Sequence, residues 1–147
     1  MLKKTTITLA LCSFLLAAMP ALSLAHCQVP CGIYDDGLRF TMLHEDISTI
    51  EKAVAQIKEL EKEGTNLNQL VRWIQTKDEY AEKIQAMVTN YFLAQRIKFD
   101  TKDYEKKLAT LHQIIVYAMK CKQSVNPHMV QKLHNALGEF EKLYMAK

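Results

Sequence analysis

The chain has 147 residues, enough for one domain with a modest hydrophobic core. Lys, Glu, Gln and Leu are abundant while Gly and Pro are scarce, a composition that favours helices. Two lysines and no acid lie in the first 25 residues; the remainder holds 17 basic and 16 acidic residues, and this balance of +1 gives no reason to expect nucleic acid as a partner.

The first 25 residues predict a secretory signal peptide. Lys3 and Lys4 precede an apolar run from Leu9 to Met19, and Ser23 and Ala25 supply the small side chains that signal peptidase needs before its cut. The apolar run is short for a membrane span, and no other stretch is long and apolar enough. We therefore predict export, to the periplasm or beyond it, without stable membrane association.

Two alternatives to this cleavage remain open. The first is a retained membrane anchor. The second is a lipoprotein cut before Cys27, although His26 stands where such a cut requires a small residue.

Residues 26–36 form a segment rich in metal donors. Cleavage after Ala25 would make His26 the first residue and free an α-amine beside its imidazole. With that amine, the backbone amide of Cys27 and the sulfurs of Cys27 and Cys31 form a planar set suited to Ni(II) or Cu(II). Zinc, which prefers a tetrahedron, fits less well. The imidazole of His26 can add a fifth, axial ligand, and such a donor set favours redox catalysis over storage.

The cysteines also allow an interpretation in which the segment binds no metal. Three cysteines remain after cleavage, and Cys27 and Cys31 would be joined in a small disulfide loop if the compartment oxidised them. Cys121, near the end of a predicted helix, is expected to be a free, half-buried thiol.

Four helices are predicted after the turn at residues 32–37. The first runs from about Leu38 to Glu63 and ends at Gly64, and the second runs from about Asn66 to Lys98. Their apolar residues recur at helical spacing: Leu43, Ile47, Ile50, Val54 and Ile57 in the first, and Leu67, Leu70, Val71, Ile74, Ala81, Ile84, Val88 and Tyr91 in the second.

The third helix is predicted to start near Asp100-Thr101 and to end near Lys122, and the fourth starts at Asn126-Pro127, a cap followed by a first helical position. Their apolar stripes are Tyr104, Leu108, Leu111, Ile115 and Ala118, and Val130, Leu133, Leu137, Phe140 and Tyr144.

Four amphipathic helices with short connections fold most simply as an antiparallel up-down four-helix bundle. The predicted organisation is a cleaved signal peptide at residues 1–25 and one domain at 26–147. Within that domain a metal-binding hook at 26–36 precedes a bundle at 38–147.

The hook resembles that of the nickel superoxide dismutase family. The family pattern His-Cys-X-X-Pro-Cys-Gly-X-Tyr is present as His26, Cys27, Pro30, Cys31, Gly32 and Tyr34. Weaker matches in the helices extend the resemblance over residues 26–147: Asn90-Tyr91-Phe92, and Tyr104 to Leu108 leading into Leu111-His112.

This resemblance implies a homohexamer with one nickel ion per subunit that dismutates superoxide. It assigns the ligands to the amine and imidazole of His26, the amide and sulfur of Cys27 and the sulfur of Cys31. Tyr34 would stand near the open side of the metal, hold a water or small anion and restrict access, and Tyr91 would support that pocket.

The family holds the axial imidazole with a glutamate and an arginine. Here Glu45 is the nearest acid on the first helix, and Arg72 and Lys77 lie in the region of the expected arginine on the second. The alternative function is that of an exported helical bundle which binds copper or nickel without turnover.

Overall fold

The computed structural model describes residues 30–64 and 66–146. These residues form four helices and no strand, so the all-helical prediction is confirmed for them. The helices are α1 (Asp36–Glu63), α2 (Leu67–Met87), α3 (Tyr104–Gln123) and α4 (Pro127–Met145). The predicted signal peptide and the hook residues His26 and Cys27 lie outside the described residues.

Most of the predicted helix ends are confirmed. Gly64 ends α1 with a left-handed φ of 65°, and its N–H donates to the carbonyl of Leu60. Asn126 caps α4, accepting from the N–H of His128 at 3.0 Å. The start of α3 was predicted three residues too early, because Asp103, with φ 56°, is the residue that precedes the helix.

The second helix does not continue as a regular α-helix to its end. Residues Val88–Arg96 are wound as a π-helix, with the N–H of Ile97 bonded to the carbonyl of Phe92, five residues earlier. The wider turn brings the side chains of Tyr91 and Arg96 to the carboxylate of Asp36, at the start of α1. Nothing in the residue pattern had predicted this change of winding.

The four helices surround one core, in which α1 and α3 each pack against both α2 and α4. All five residues of the predicted α1 stripe are buried. At one end of the core, four aromatic rings meet with centroids 5.0–5.7 Å apart. These rings belong to Phe40, Phe92, Phe140 and Tyr144. The aromatic cluster lies directly beneath the start of α1 and supports the candidate site.

The first half of α2 differs from the prediction. Leu67, Val71 and Ile74 were expected to line the core, but they are 71%, 51% and 38% exposed. Lys77 lies level with the last turn of α3, whose carbonyls it binds, so the residues of α2 before it extend past α3 and have nothing from that helix to cover them.

No helix in the described part of the chain combines the length and apolarity that a bilayer span requires.

Two isoleucines of α2 provide a matched test of this packing. Ile84→Ala, at a fully buried position, should lower the free energy of unfolding by about 2–4 kcal/mol through lost burial and the cavity left behind. Ile74→Ala, at the exposed end, should cost less than about 1 kcal/mol. Urea unfolding measures both, and equal losses would contradict the described core.

Candidate metal centre

The described part of the hook leads straight into α1. Residues Pro30 to Gly32 form a bend, and Gly32 adopts a left-handed φ of 80° that disfavours other residues. Cys31 is exposed. The Asp35 carboxylate then accepts from the N–H of Leu38 at 2.9 Å and caps the helix. The thiol of Cys31 therefore lies on a short segment whose C-terminal end is fixed at the start of α1.

Tyr34 and Tyr91, the two tyrosines that the family resemblance singles out, are brought together. Their rings meet edge to face with centroids 5.8 Å apart. The hydroxyl of Tyr34 is 3.4 Å from the side-chain oxygen of Gln95, whose amide nitrogen donates to the carbonyl of Asn90. The guanidinium of Arg96 lies 4.4 Å from the centre of the Tyr34 ring. Tyr34, still 39% exposed, thus has a defined position at the protein surface.

Arg96 is held in turn by Asp36. Its Nε and Nη2 donate to the two carboxylate oxygens at 2.9 and 2.6 Å, a bidentate pair. The hydroxyls of Tyr91 and Tyr144 donate to the same carboxylate at 2.6 and 2.9 Å. One carboxylate therefore joins the start of α1 to the π-helix and to the last turn of α4.

These bonds set the protonation of the cluster. Burial alone would raise the pKa of Asp36, but hydrogen bonds from Arg96, Tyr91 and Tyr144 hold it below its ordinary value. Burial and the hydrogen bond to Asp36 raise the pKa of Tyr91 to about 12, and Tyr144 behaves in the same way. At neutral pH the carboxylate is charged and both hydroxyls keep their protons.

A groove of about 730 Å³ between α1 and α2 opens beside Pro30. Arg39, Glu45, Asp46 and Lys83 bring two positive and two negative side chains to it. Burial raises the pKa of Asp46 to about 6, although the charge of Lys83 opposes the shift.

The predicted partners of the axial imidazole lie in different places. Glu45 lines the groove beside Pro30. Lys77 is 3% exposed, and its ammonium donates to Asp78 and to the carbonyls of Cys121 and Lys122, which uses all three of its protons. Arg72 is exposed on α2 and does not line the groove.

The remaining thiol and histidines lie apart from the hook. Cys121 is buried, and burial raises the pKa of its thiol to about 11, as suits an inert core cysteine. His44 binds Glu141 at 2.9 Å and contacts the ring of His134, a pair that the sequence spacing had not indicated. Among residues 30–64 and 66–146, no three potential ligands converge to hold a metal ion.

Comparison with known proteins identifies the family. The chain matches nickel-containing superoxide dismutase over residues 21–147. It belongs to that family. The enzyme is thus an oxidoreductase that dismutates superoxide and uses nickel. No curated protein and no solved structure matches the chain significantly.

The described residues fit a nickel site at the hook. A thiolate is a strong ligand for nickel, and Cys31 presents its thiol at the surface, close to Tyr34 in the chain. Cys121 cannot serve, because it is buried in the bundle. The other predicted donors, His26 and Cys27, lie outside the described residues.

Four residues of this site were missed from the sequence. Asp36 had been assigned only to the turn and the hook, and Tyr144 only to the apolar stripe of the fourth helix. Gln95 and Arg96 had no assigned role. In a sequence, an acid at the start of one helix and a basic residue at the end of another are only a weak indication that the two side chains pair. No pattern in the sequence indicates the π-helix that brings these two residues together.

The Asp36 bonds predict a pH-dependent contribution to stability. Because the pKa of Asp36 is lowered from 3.8, the stabilisation is complete at neutral pH and is lost as the pH falls below about 4. Asp36→Asn should therefore cost about 2–3 kcal/mol at pH 7, less than for a fully buried pair, and the difference from the unmodified protein should shrink in acid. Urea unfolding from pH 7 to 3 measures it.

Asp100→Asn provides the control, because Asp100 is exposed and is not part of this cluster. Its effect on the free energy of unfolding should be small at every pH in the series. An Asp36→Asn effect that persists unchanged at pH 3 would contradict the proposed ionic origin.

Proposed function

We propose that dismutation takes place at a nickel site built on a processed N-terminus, with His26 as the first residue. The observation that carries this proposal is the exposed thiol of Cys31, three residues before a tyrosine whose ring and hydroxyl contact Arg96 and Gln95. The amine and imidazole of His26, the amide and sulfur of Cys27 and the sulfur of Cys31 would hold the metal. Bound nickel would supply one-electron chemistry, by which two superoxides and two protons give dioxygen and hydrogen peroxide.

Tyr34 is proposed to lie near the open side of the metal and to restrict access to it. Its hydroxyl can hold a water or small anion, while the contacts with Arg96 and Gln95 restrict where the ring can lie. Tyr91 supports the ring edge to face, and its own hydroxyl is committed to Asp36. Tyr91 therefore acts by positioning Tyr34, without exchanging a proton at neutral pH.

The groove beside Pro30 is proposed to receive residues 26–29. Four residues reach at most about 14 Å, so this segment stays near the groove that Pro30 lines. Glu45, as the sequence suggested, or Asp46 beside Lys83 can then accept a hydrogen bond from the His26 imidazole. The contacts of Lys77 use all three of its ammonium protons, whereas the ammonium of Lys83 has one ion pair, with Glu79 at 2.8 Å. We therefore favour Lys83 as the basic partner and do not assign Arg72 a direct contact.

The up-down antiparallel arrangement is part of the proposal. It is supported by two contacts between α2 and α3: Lys77 binds the carbonyl of Cys121, while Gln85, two turns later, binds that of Ile115, earlier in its helix. Asp36 at the start of α1 meets Arg96 and Tyr144, which lie near the ends of their helices.

A homohexamer is proposed from the family resemblance. The exposed apolar side chains at the start of α2 offer a surface that subunit association would bury. Signal peptidase is the proposed maturation partner, and the periplasm or the exterior is the proposed location.

Cys31→Ser should abolish the site while leaving the bundle intact. The alcohol is a far weaker nickel ligand than thiolate, so we expect nickel affinity and dismutation to fall by more than about 100-fold. Helical content should not change, because the exposed Cys31 side chain is not part of the core. Cys121→Ala, which removes the buried thiol, should retain nickel. Elemental analysis, superoxide assays and circular dichroism would show this, and full activity of Cys31→Ser would contradict the proposed site.

Processing should determine metal binding. Ala25→Phe, with a bulky residue before the cut, should leave an uncleaved precursor in which the nitrogen of His26 is an amide and binds nickel poorly. Ala25→Ser, which keeps the residue small, should be cleaved and loaded. N-terminal sequencing with elemental analysis tests this; a native N-terminus elsewhere, or nickel-free protein from nickel-replete cells, would refute the proposal.

A further inference from the structure

Two guanidinium groups lie over the two site tyrosines, but they differ in how their charge is balanced. Arg96 lies over Tyr34 and is neutralised by the bidentate bond to Asp36. Arg39 lies over Tyr91, with 5.1 Å from its central carbon to the ring centre. Among the described residues, no carboxylate comes within ion-pair distance of Arg39.

The hydrogen-bonding capacity of Arg39 is also largely unused. A guanidinium offers five N–H donors. Within the described residues, the Arg39 side chain makes one hydrogen bond, a weak one from Nη1 to the sulfur of Met42 at 3.7 Å. Its Nε is buried and has no hydrogen-bond partner there. A half-buried guanidinium that remains charged at any physiological pH gains most from an oxyanion or similar small anion.

The position of Arg39 relates it to the substrate. Arg39, Tyr91 and Pro30 line the same groove, and Pro30 precedes the ligand Cys31 directly in the chain. Superoxide is a small anion, and a positive charge beside a narrow approach raises the rate at which such an anion arrives. Glu45 and Asp46 share the groove, but Glu45 is more exposed than Arg39. The charge of Lys83, whose ammonium binds Glu79 at 2.8 Å, also acts on Asp46.

We infer that Arg39 forms an anion-binding site at the groove, which draws superoxide toward the open side of the hook. The inference rests on the proposed location of the nickel site. Arg39 provides the charge that attracts the anion. Arg96, whose charge is neutralised by Asp36, positions Tyr34. The two arginines thus divide attraction and positioning between them.

The first test detects anion binding without using activity. The chain has three arginines, so the Nε–H resonances of Arg39, Arg72 and Arg96 can be assigned and followed by nuclear magnetic resonance. Azide, a small monovalent anion, should shift the Arg39 resonance in a saturable way and leave that of Arg72 unmoved. The titration should be made on the mature chain with and without nickel, because a shift in both forms reports on Arg39 independently of the metal.

The second test uses kinetics. Arg39→Gln should lower kcat/KM for superoxide by about 3- to 10-fold at low ionic strength and flatten its dependence on salt. Arg39→Lys, which keeps the charge, should recover most of the rate. Lys62→Gln is the charge-matched control, because it lies 23 residues further along α1, about 35 Å away, where screening removes its influence.

The outcomes separate the inference from its alternatives. An Arg39 resonance unmoved by azide, or normal kinetics and salt dependence in Arg39→Gln, would overturn the anion site. Altered nickel content or nickel paramagnetic resonance in Arg39→Gln, with unchanged salt dependence, would also overturn it and show that Arg39 binds the hook backbone. A wild-type mature protein without nickel or turnover would refute the proposed function instead, and the azide titration would still report on Arg39.

Discussion

The carboxylate of Asp36 accepts four hydrogen bonds from three side chains, and the position of the hook depends on them. Asp36 is the first residue of α1, so these bonds fix the point at which the irregular segment becomes helix. Arg96, oriented by two of the bonds, is the surface on which the Tyr34 ring rests. The cluster is half open to water, and the aromatic rings of Phe40, Phe92 and Phe140 close it from below.

The two arginines near this cluster differ in whether an acid neutralises their charge. Asp36 and Arg96 satisfy one another, so their main effect is geometric, and the pair adds little net field at the surface. Arg39 differs, because no carboxylate among the described residues lies within ion-pair distance of it. One arginine thus holds the Tyr34 ring in place, and the other keeps an unpaired positive charge at the groove that it lines.

Sequence reasoning predicted the bundle well because helices are specified locally. The α1 stripe, the stop at Gly64 and the start at Asn126-Pro127 depend on residues within a few positions of each other, and all three are confirmed. The exposed start of α2 was not foreseen, because apolar spacing defines a helix face but not the length of the neighbouring helix. Glu45 was placed near the hook only by position in the chain. The Asp36 cluster joins residues up to 108 positions apart, and no local sequence pattern predicts such a long-range contact.

The π-helix at Val88–Arg96 makes the site sensitive to chain length. In regular α-helix each residue advances the side-chain direction by about 100°. If this stretch were wound as α-helix with the same number of residues, Tyr91 and Arg96, five positions apart, would point about 140° apart and could not both face Asp36. Connecting loops usually tolerate insertions and deletions. In this stretch a regular α-helix would bring the two side chains together only with one residue fewer between them, so the winding of the helix and its number of residues must change together.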